Sequence, residues 1–288
     1  MKIFELYSAL INKKHKYNYK ISEFDIRHLI SFYQNIDPIL SFYLKINDEV
    51  KHIQKIEKAF NKIKDFPIEY LLNETFFLKN KFFINKNVLI PRQETEELVD
   101  LFFKKINYFI QKYKKRNLNI LDVGTGSGVI AIEIKKKFPE FNVYAVDISK
   151  KALKVAKKNA SNLKVDVFFY YADTFPKRKN NDKKYDVVIS NPPYIHDKTT
   201  VEKSVLKHEP HKALFITKTN NVYKKILKNV SYLSLPALVI FEISEDCVNL
   251  LNNLLFKYLK KYDYEYQYHK DMAKKIRFLV LIIKRQKC

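Results

Sequence analysis

The stretch Asn119-Ile-Leu-Asp122-Val-Gly124-Thr-Gly126-Ser-Gly128-Val-Ile-Ala131 decides the reading of this chain. It holds all 3 glycines of a 288-residue sequence. Average usage of about 7% would give about twenty. A chain that lacks glycine elsewhere and keeps it here has a backbone need no side chain meets, either positive φ or close approach to a bound group. Asn119–Val123 reads as a strand and Gly128–Lys137 as a helix. A strand that enters a glycine loop and opens a helix lets a ligand lie against backbone, and the helix N-terminus favours a carboxylate or phosphate. Gly124, Thr125, Gly126, Ser127 and Gly128 are the candidate contacts.

The pattern continues outward. Asn142–Val146, Val165–Tyr170, Tyr185–Ser190, Ala237–Ile243, Tyr264–Tyr268 and Arg277–Ile283 read as strands. Ser149–Asn159, Asn220–Ser231 and Glu245–Lys260 read as helices between them. Alternating β and α predicts an α/β fold, a mostly parallel sheet with helices on both faces. Ligands of such sheets bind outside the carboxyl ends of the strands. Upstream, residues 1–75 read as helical. Ser22-Glu23-Phe24-Asp25 resembles a capping box, with Ile26, Leu29, Ile30 and Tyr33 on one face; Val50, Ile53, Ile56, Phe60 and Ile63 form a second apolar stripe. Thr75–Leu78 and Phe82–Ile84 read as a β-hairpin, followed by Val88–Arg92 and an amphipathic helix over Thr95–Phe109.

Three further candidates sit at strand ends. Asp147 follows Gly128 by 19 residues and can accept hydrogen bonds from both hydroxyls of a ribose. Asp173, with Thr174 beside it, is placed to meet an adenine amino group. Asn191-Pro192-Pro193-Tyr194 follows the strand Tyr185–Ser190 directly. Its two prolines fix φ and hold their carbonyls rigidly. The Asn191 amide oxygen and the Pro192 carbonyl can accept both hydrogens of a planar –NH2 group, with Tyr194 beside it. The arrangement suits an adenine exocyclic nitrogen or the side-chain amide of Asn or Gln. For the glycine loop, two ligand classes compete. A dinucleotide pattern read from Gly124 fails at Val129, whereas Gly-x-Gly-x-x-Ala read from Gly126 is met.

Composition narrows the class. The net charge of +23 invites a nucleic-acid reading, but 48 of the 54 basic residues are Lys. Arg is the better fork for phosphates and bases, so a diffuse Lys excess beside abundant Asn, Ile, Phe and Tyr reads as compositional drift. Two cysteines, Cys247 and Cys288, make no disulfide framework, so a reducing cytoplasmic setting is expected. No apolar run approaches the ~20 residues that span a bilayer, and Met1–Leu6 lacks a signal-peptide pattern. The basic segment Lys177–Lys184 reads as a solvated loop. His208-Glu209-Pro210-His211 is not a zinc motif, because its histidines stand three apart and Pro210 breaks the helix. No metal site is expected.

The form Asp122-x-Gly124-x-Gly126-x-Gly128 resembles the cofactor loop of S-adenosylmethionine-dependent methyltransferases, and Asn191-Pro192-Pro193-Tyr194 resembles amino-methyltransferases generally. Pro67-Ile-Glu-Tyr70, the hairpin and Val88-Leu-Ile-Pro91-Arg92-Gln93-Glu94-Thr95-Glu96-Glu97-Leu98-Val99 are similar to the linker of the peptide chain release factor glutamine methyltransferases. Glu209-Pro210 and Ala213-Leu214 match that family's next segment. The resemblance implies a helical substrate-docking domain over 1–74, a hairpin linker over 75–92 and a seven-stranded Rossmann-like methyltransferase domain over 93–288. It implies S-adenosylmethionine bound by Gly124, Thr125, Gly126, Ser127, Gly128, Asp147, Asp173, Thr174 and Asn191. Catalysis would fall to Asn191, Pro192 and Tyr194, with Pro193 also against the substrate. That substrate would be the glutamine of the Gly-Gly-Gln motif of class 1 release factors. A cytoplasmic monomer with no membrane partner and no need for direct nucleic-acid binding is expected. The competing readings are an adenine amino-methyltransferase acting on DNA or RNA, a non-catalytic cofactor- or RNA-binding module and a nicotinamide dehydrogenase. The chain departs from the family where glycine is usual: in the hairpin at Leu78-Lys79-Asn80, at Pro236-Ala237, after Glu242, and within Asp271–Lys275.

Overall fold

A computed structural model describes residues 1–177, 184–217 and 219–287. Most of the basic segment around Lys177–Lys184, and Cys288, lie outside the described residues. The chain divides into two compact units, Met1–Glu74 with Lys203–His208, and Thr75–Glu202 with Glu209–Cys288.

The first unit is helical. Its longer helices are Ile3–Lys16, Glu23–Gln34 and Ile53–Lys62, with a short turn of helix at Ile68–Leu72. Ser22 Oγ accepts from the Asp25 amide at 3.0 Å, and the Asp25 carboxylate accepts from the Ser22 amide at 2.8 Å. The reciprocal pair satisfies two amides that a helix start leaves open. Ile26, Leu29 and Ile30 then face Leu6, Phe42, Ile56 and Phe60 in one core. Val50 stands outside the helix that its spacing predicts. His52, at φ +60°, turns the chain left-handed just before Ile53, which delays the start. The six-residue helix Lys203–His208 belongs to this unit by packing. The His208 imidazole donates to the Asp65 carbonyl at 2.8 Å and meets the Phe66 ring edge-on.

The second unit carries the sheet. Strands are β1 (Glu74–Phe77), β2 (Asn80–Phe83), β3 (Asn119–Val123), β4 (Asn142–Asp147), β5 (Phe168–Tyr171), β6 (Tyr185–Ser190), β7 (Leu233–Glu242), β8 (Tyr262–Lys270) and β9 (Ile276–Gln286). β1 and β2 form a separate hairpin; the other seven lie in the order β5-β4-β3-β6-β7-β9-β8. Pairing is parallel from β5 to β7, and β9 runs antiparallel between β7 and β8. The expected α/β architecture with a seven-stranded, mostly parallel sheet is what forms. Apolar residues cover both faces, as a parallel sheet clad in helices requires. Helix Gln93–Tyr113 packs Leu98, Phe102, Ile106 and Phe109 on one face. Helix Val248–Leu259 packs Leu251 and Leu255 on the other, with Tyr223 and Ile226.

Several predicted boundaries shift, each for a local reason. β5 starts at Phe168 and not at Val165, because the Val165 amide donates to the Ala160 carbonyl and closes the end of helix Lys150–Asn162. The predicted helix 245–260 begins as a 3-10 turn, Glu245–Cys247, under Ser244, before the α-helix starts at Val248. The predicted helix 220–231 is shorter, Val222–Lys228, capped by Asn221 and left at Asn229. The hairpin turns in two residues, Leu78-Lys79, with Leu78 left-handed at φ +51°. Among the described residues, no helix is long and apolar enough to cross a membrane.

Candidate active site

The parallel strands deliver their carboxyl ends to one place. β3 ends at Val123 and passes into the glycine loop; β4 ends at Asp147; β6 ends at Ser190; β7 ends at Glu242. The loop is anchored from beneath. The Gly124 and Thr125 amides both donate to the Val146 carbonyl at 2.9 Å. The Thr125 hydroxyl donates to Asp122 at 2.5 Å. Asp122 is wholly buried, and desolvation raises its pKa to about 7. Asp147 accepts from the Gly126 amide at 2.9 Å and from the Ser149 amide at 2.7 Å, so it holds the loop to the next helix start. Burial raises its pKa too.

A cavity of about 380 Å³ opens over these ends. Gly124, Thr125, Gly126, Ser127, Asp147, Asp173, Asn191 and Pro193 line it, together with Thr95, Ile148 and the Pro210–Ala213 segment. A Cβ built on Gly124 meets nothing within 4 Å, and one on Gly126 only a carbonyl at 4.0 Å, so the missing side chains leave open space along the loop. Gly128 stands apart from the lining. It runs at φ +87°, and a Cβ there would lie 3.1 Å from Ala156 Cβ and from Ile132 Cδ1. Its glycine serves close packing of the helix that follows. Asp173 is exposed at the cavity and pairs with Lys225 at 2.5 Å, whereas Thr174 is buried behind the lining.

The Asn191–Tyr194 segment is held from several sides. Ser190 Oγ donates to the Val123 carbonyl at 2.6 Å, tying its root to the glycine loop. The Ile195 amide donates to the Leu214 carbonyl and the Ile216 amide to the Ile195 carbonyl, which fixes the segment beside residues 210–216. The Asn191 Nδ2 group donates to Thr95 Oγ1 at 2.9 Å, and Thr95 Oγ1 donates to Glu242 Oε2 at 2.9 Å. Tyr194 does not line the cavity; its hydroxyl donates to Glu242 Oε1 at 3.3 Å. Pro192 is buried and also absent from the lining. Glu209, just before the Pro210–Ala213 part of the lining, accepts from the Ile90 amide at 3.1 Å and from the Arg92 guanidinium.

Comparison with known proteins bears on this site. A family model described as the methyltransferase small domain matches residues 106–215. The release factor glutamine methyltransferase of Flavobacterium psychrophilum is 37% identical over 255 residues, which cover 82% of this chain and 88% of the relative. The chain belongs to the release factor glutamine methyltransferase family. Its relative of the same name in Bacillus subtilis is 35% identical over 225 residues, covering 77% of each chain. The solved structure of a T. thermophilus 16S rRNA N2 G1207 methyltransferase with AdoMet and guanosine shares the fold, at TM-score 0.50 and 12% identity over 74% of this chain and 50% of that one.

Three residues that line or brace this cavity escape a reading of the sequence. Thr95 lies inside the recognised linker motif but shows nothing that singles out its hydroxyl. Glu242 reads as the acid next to the end of the predicted strand Ala237–Ile243. Asn159 reads as a polar position on a helix, yet it is buried and braces the loop: its Nδ2 donates to the Ser127 carbonyl at 2.8 Å and the Phe83 carbonyl at 2.9 Å, and its Oδ1 accepts from the Phe83 amide at 2.7 Å.

Proposed function

We propose that this chain transfers the methyl group of S-adenosylmethionine to the side-chain amide nitrogen of the glutamine in the Gly-Gly-Gln motif of class 1 release factors, supporting translation termination. The observation that carries this reading is the Asn191 side chain on the wall of the same cavity as the Gly124–Ser127 loop and Asp147. The cavity fits the donor: open space over two glycines, a half-buried carboxylate at the end of β4, and Ile148 and Val129 as apolar sides. When bound, S-adenosylmethionine supplies an electrophilic methyl group and leaves as a neutral thioether.

In this reading the loop backbone and Asp147 would hold the donor, Asp147 as acceptor for ribose hydroxyls and Asp173 on the adenine side, with Thr174 buried behind it. The harder task falls on the acceptor, since an amide nitrogen shares its lone pair with its carbonyl. Asn191 Oδ1, on the cavity wall, would accept an amide hydrogen, hold the nitrogen toward the methyl group and stabilise positive charge as it develops there, the methylated nitrogen then losing one proton to solvent. Pro192, buried outside the lining, would stiffen the segment behind it. Orientation of this kind lowers a barrier by up to about 7–11 kcal/mol. Tyr194, bonded to Glu242, stiffens the segment from behind.

The two halves of the reading separate by substitution. Asn191→Ala is expected to keep affinity for S-adenosylhomocysteine, measured by calorimetry, and to lose methyl transfer by about 100-fold or more. Asp147→Ala is expected to lose that affinity. Wild-type transfer by Asn191→Ala overturns the assignment of Asn191.

A further inference from the structure

Glu242 is buried at the end of β7, behind Thr95 and away from the cavity. A carboxylate can only accept hydrogen bonds. Its Oε2 faces Thr95 Oγ1 at 2.9 Å, so the single hydroxyl hydrogen of Thr95 is committed to it. Thr95 Oγ1 can then only accept from its other neighbour, the Asn191 side chain at 2.9 Å. That neighbour must present its NH2 group. The Asn191 carbonyl oxygen is thereby turned the other way. Which end of an amide faces which way is set by such networks and by nothing in the amide's own shape.

We infer that Glu242 is a positioning residue whose negative charge, passed through the Thr95 hydroxyl, fixes the side-chain amide of Asn191 with its carbonyl oxygen available to a substrate –NH2 group. The inference rests on the proposed function for the nature of that substrate. The relay itself rests on the hydrogen-bond geometry.

The relay has a defined failure. A protonated Glu242 can donate to Thr95 Oγ1. Thr95 can then donate to Asn191, and the amide is free to turn its NH2 group outward. A donor then faces a donor, and the acceptor for the substrate is gone. Desolvation raises the Glu242 pKa to about 7, opposed by the hydrogen bonds from Thr95 and Tyr194 and by the nearby Arg277 cation. Glu94, on the same helix as Thr95, pushes it further up. Arg277 is held on β9 by Asp271 at 3.1 Å, and Tyr223 donates to the Glu242 backbone carbonyl at 2.9 Å, with Cys247 beside it. The acid's folded pKa lies above its ordinary value, so the charged form is gained as pH rises through about 7. Turnover should rise with pH across that range. Asp122 ionises there as well, so the substitution, and not the profile alone, assigns the effect.

The test uses the full chain labelled with 15N. The Asn191 side-chain NH2 pair is assigned by its loss in Asn191→Ala. In wild type this pair is expected to titrate with a midpoint near 7. In Glu242→Gln and in Thr95→Val it should move to new positions and no longer titrate. Both variants should lose about tenfold or more in kcat on a release factor, with affinity for S-adenosylhomocysteine and Tm near wild type. Thr95→Ser, which keeps the hydroxyl, should restore both the titration and kcat. An Asn191 pair that ignores both substitutions, or an unchanged kcat in both, overturns the relay. A wild-type enzyme that leaves release factor unmethylated while its Asn191 pair still responds to both substitutions removes the substrate and keeps the relay.

Discussion

The glycine loop and two turns of this chain share one backbone conformation and differ in what occupies it. Gly124, Gly126 and Gly128 run at φ +75°, +56° and +87°, while Leu78 and Lys274 run at +51° and +65°. Both non-glycine positions lie within the two segments, Leu78–Asn80 and Asp271–Lys275, where the resemblance leads one to expect a glycine. A left-handed residue with a Cβ costs roughly 1–2 kcal/mol. At Leu78 and Lys274 that conformational cost is borne. At Gly128 a Cβ would also meet Ala156 and Ile132, and at Gly124 and Gly126 it would stand in the open space over the loop. The contrast teaches that glycine stands where a side chain would displace packed atoms or a ligand, while other residues take the left-handed conformation where their side chains have room.

Each side of the contrast can be broken. The largest effect is expected from Gly126→Ala, which places a methyl group against the ligand's path: affinity for S-adenosylhomocysteine should fall about 100-fold, close to 3 kcal/mol, by calorimetry. Retained affinity would mean the loop does not cradle the donor. Gly128→Ala should act on the fold instead, lowering stability by about 1–3 kcal/mol in denaturant unfolding, because strain adds to a clash. A loss of affinity without a loss of stability would contradict its assignment to packing. The smallest effects are expected at the other turns. Leu78→Gly and Lys274→Gly relieve strain but add freedom to the unfolded chain. Lys274→Gly should raise stability by no more than about 1 kcal/mol, whereas Leu78→Gly also removes a side chain packed against the core and should lower stability; cofactor affinity should be unchanged in both.

Legibility in the sequence follows the range of the interactions. β3 and β6 begin and end where their apolar runs do, since both are buried in the middle of the sheet. The meeting of the loop, Asp147 and Asn191 at one cavity is legible because each lies next to a strand end. The insertion of β9 between β7 and β8 was not, because strand order is fixed by non-local pairing that no window of residues contains. Glu242 and Thr95 stayed hidden for the same reason. Their hydrogen bond joins residues 147 apart in sequence, and the bond from Asn191 to Thr95 spans 96. Thr95 and Glu242 are ordinary residue types at ordinary places, and only the fold gives them a joint role.

The most direct test of the proposed function offers labelled S-adenosylmethionine to the purified protein with unmethylated release factor, DNA and ribosomal RNA in parallel, and locates the product by mass spectrometry. The account predicts one added methyl group on the glutamine of the Gly-Gly-Gln motif, with nucleic acid unlabelled. Label on adenine alone would contradict it.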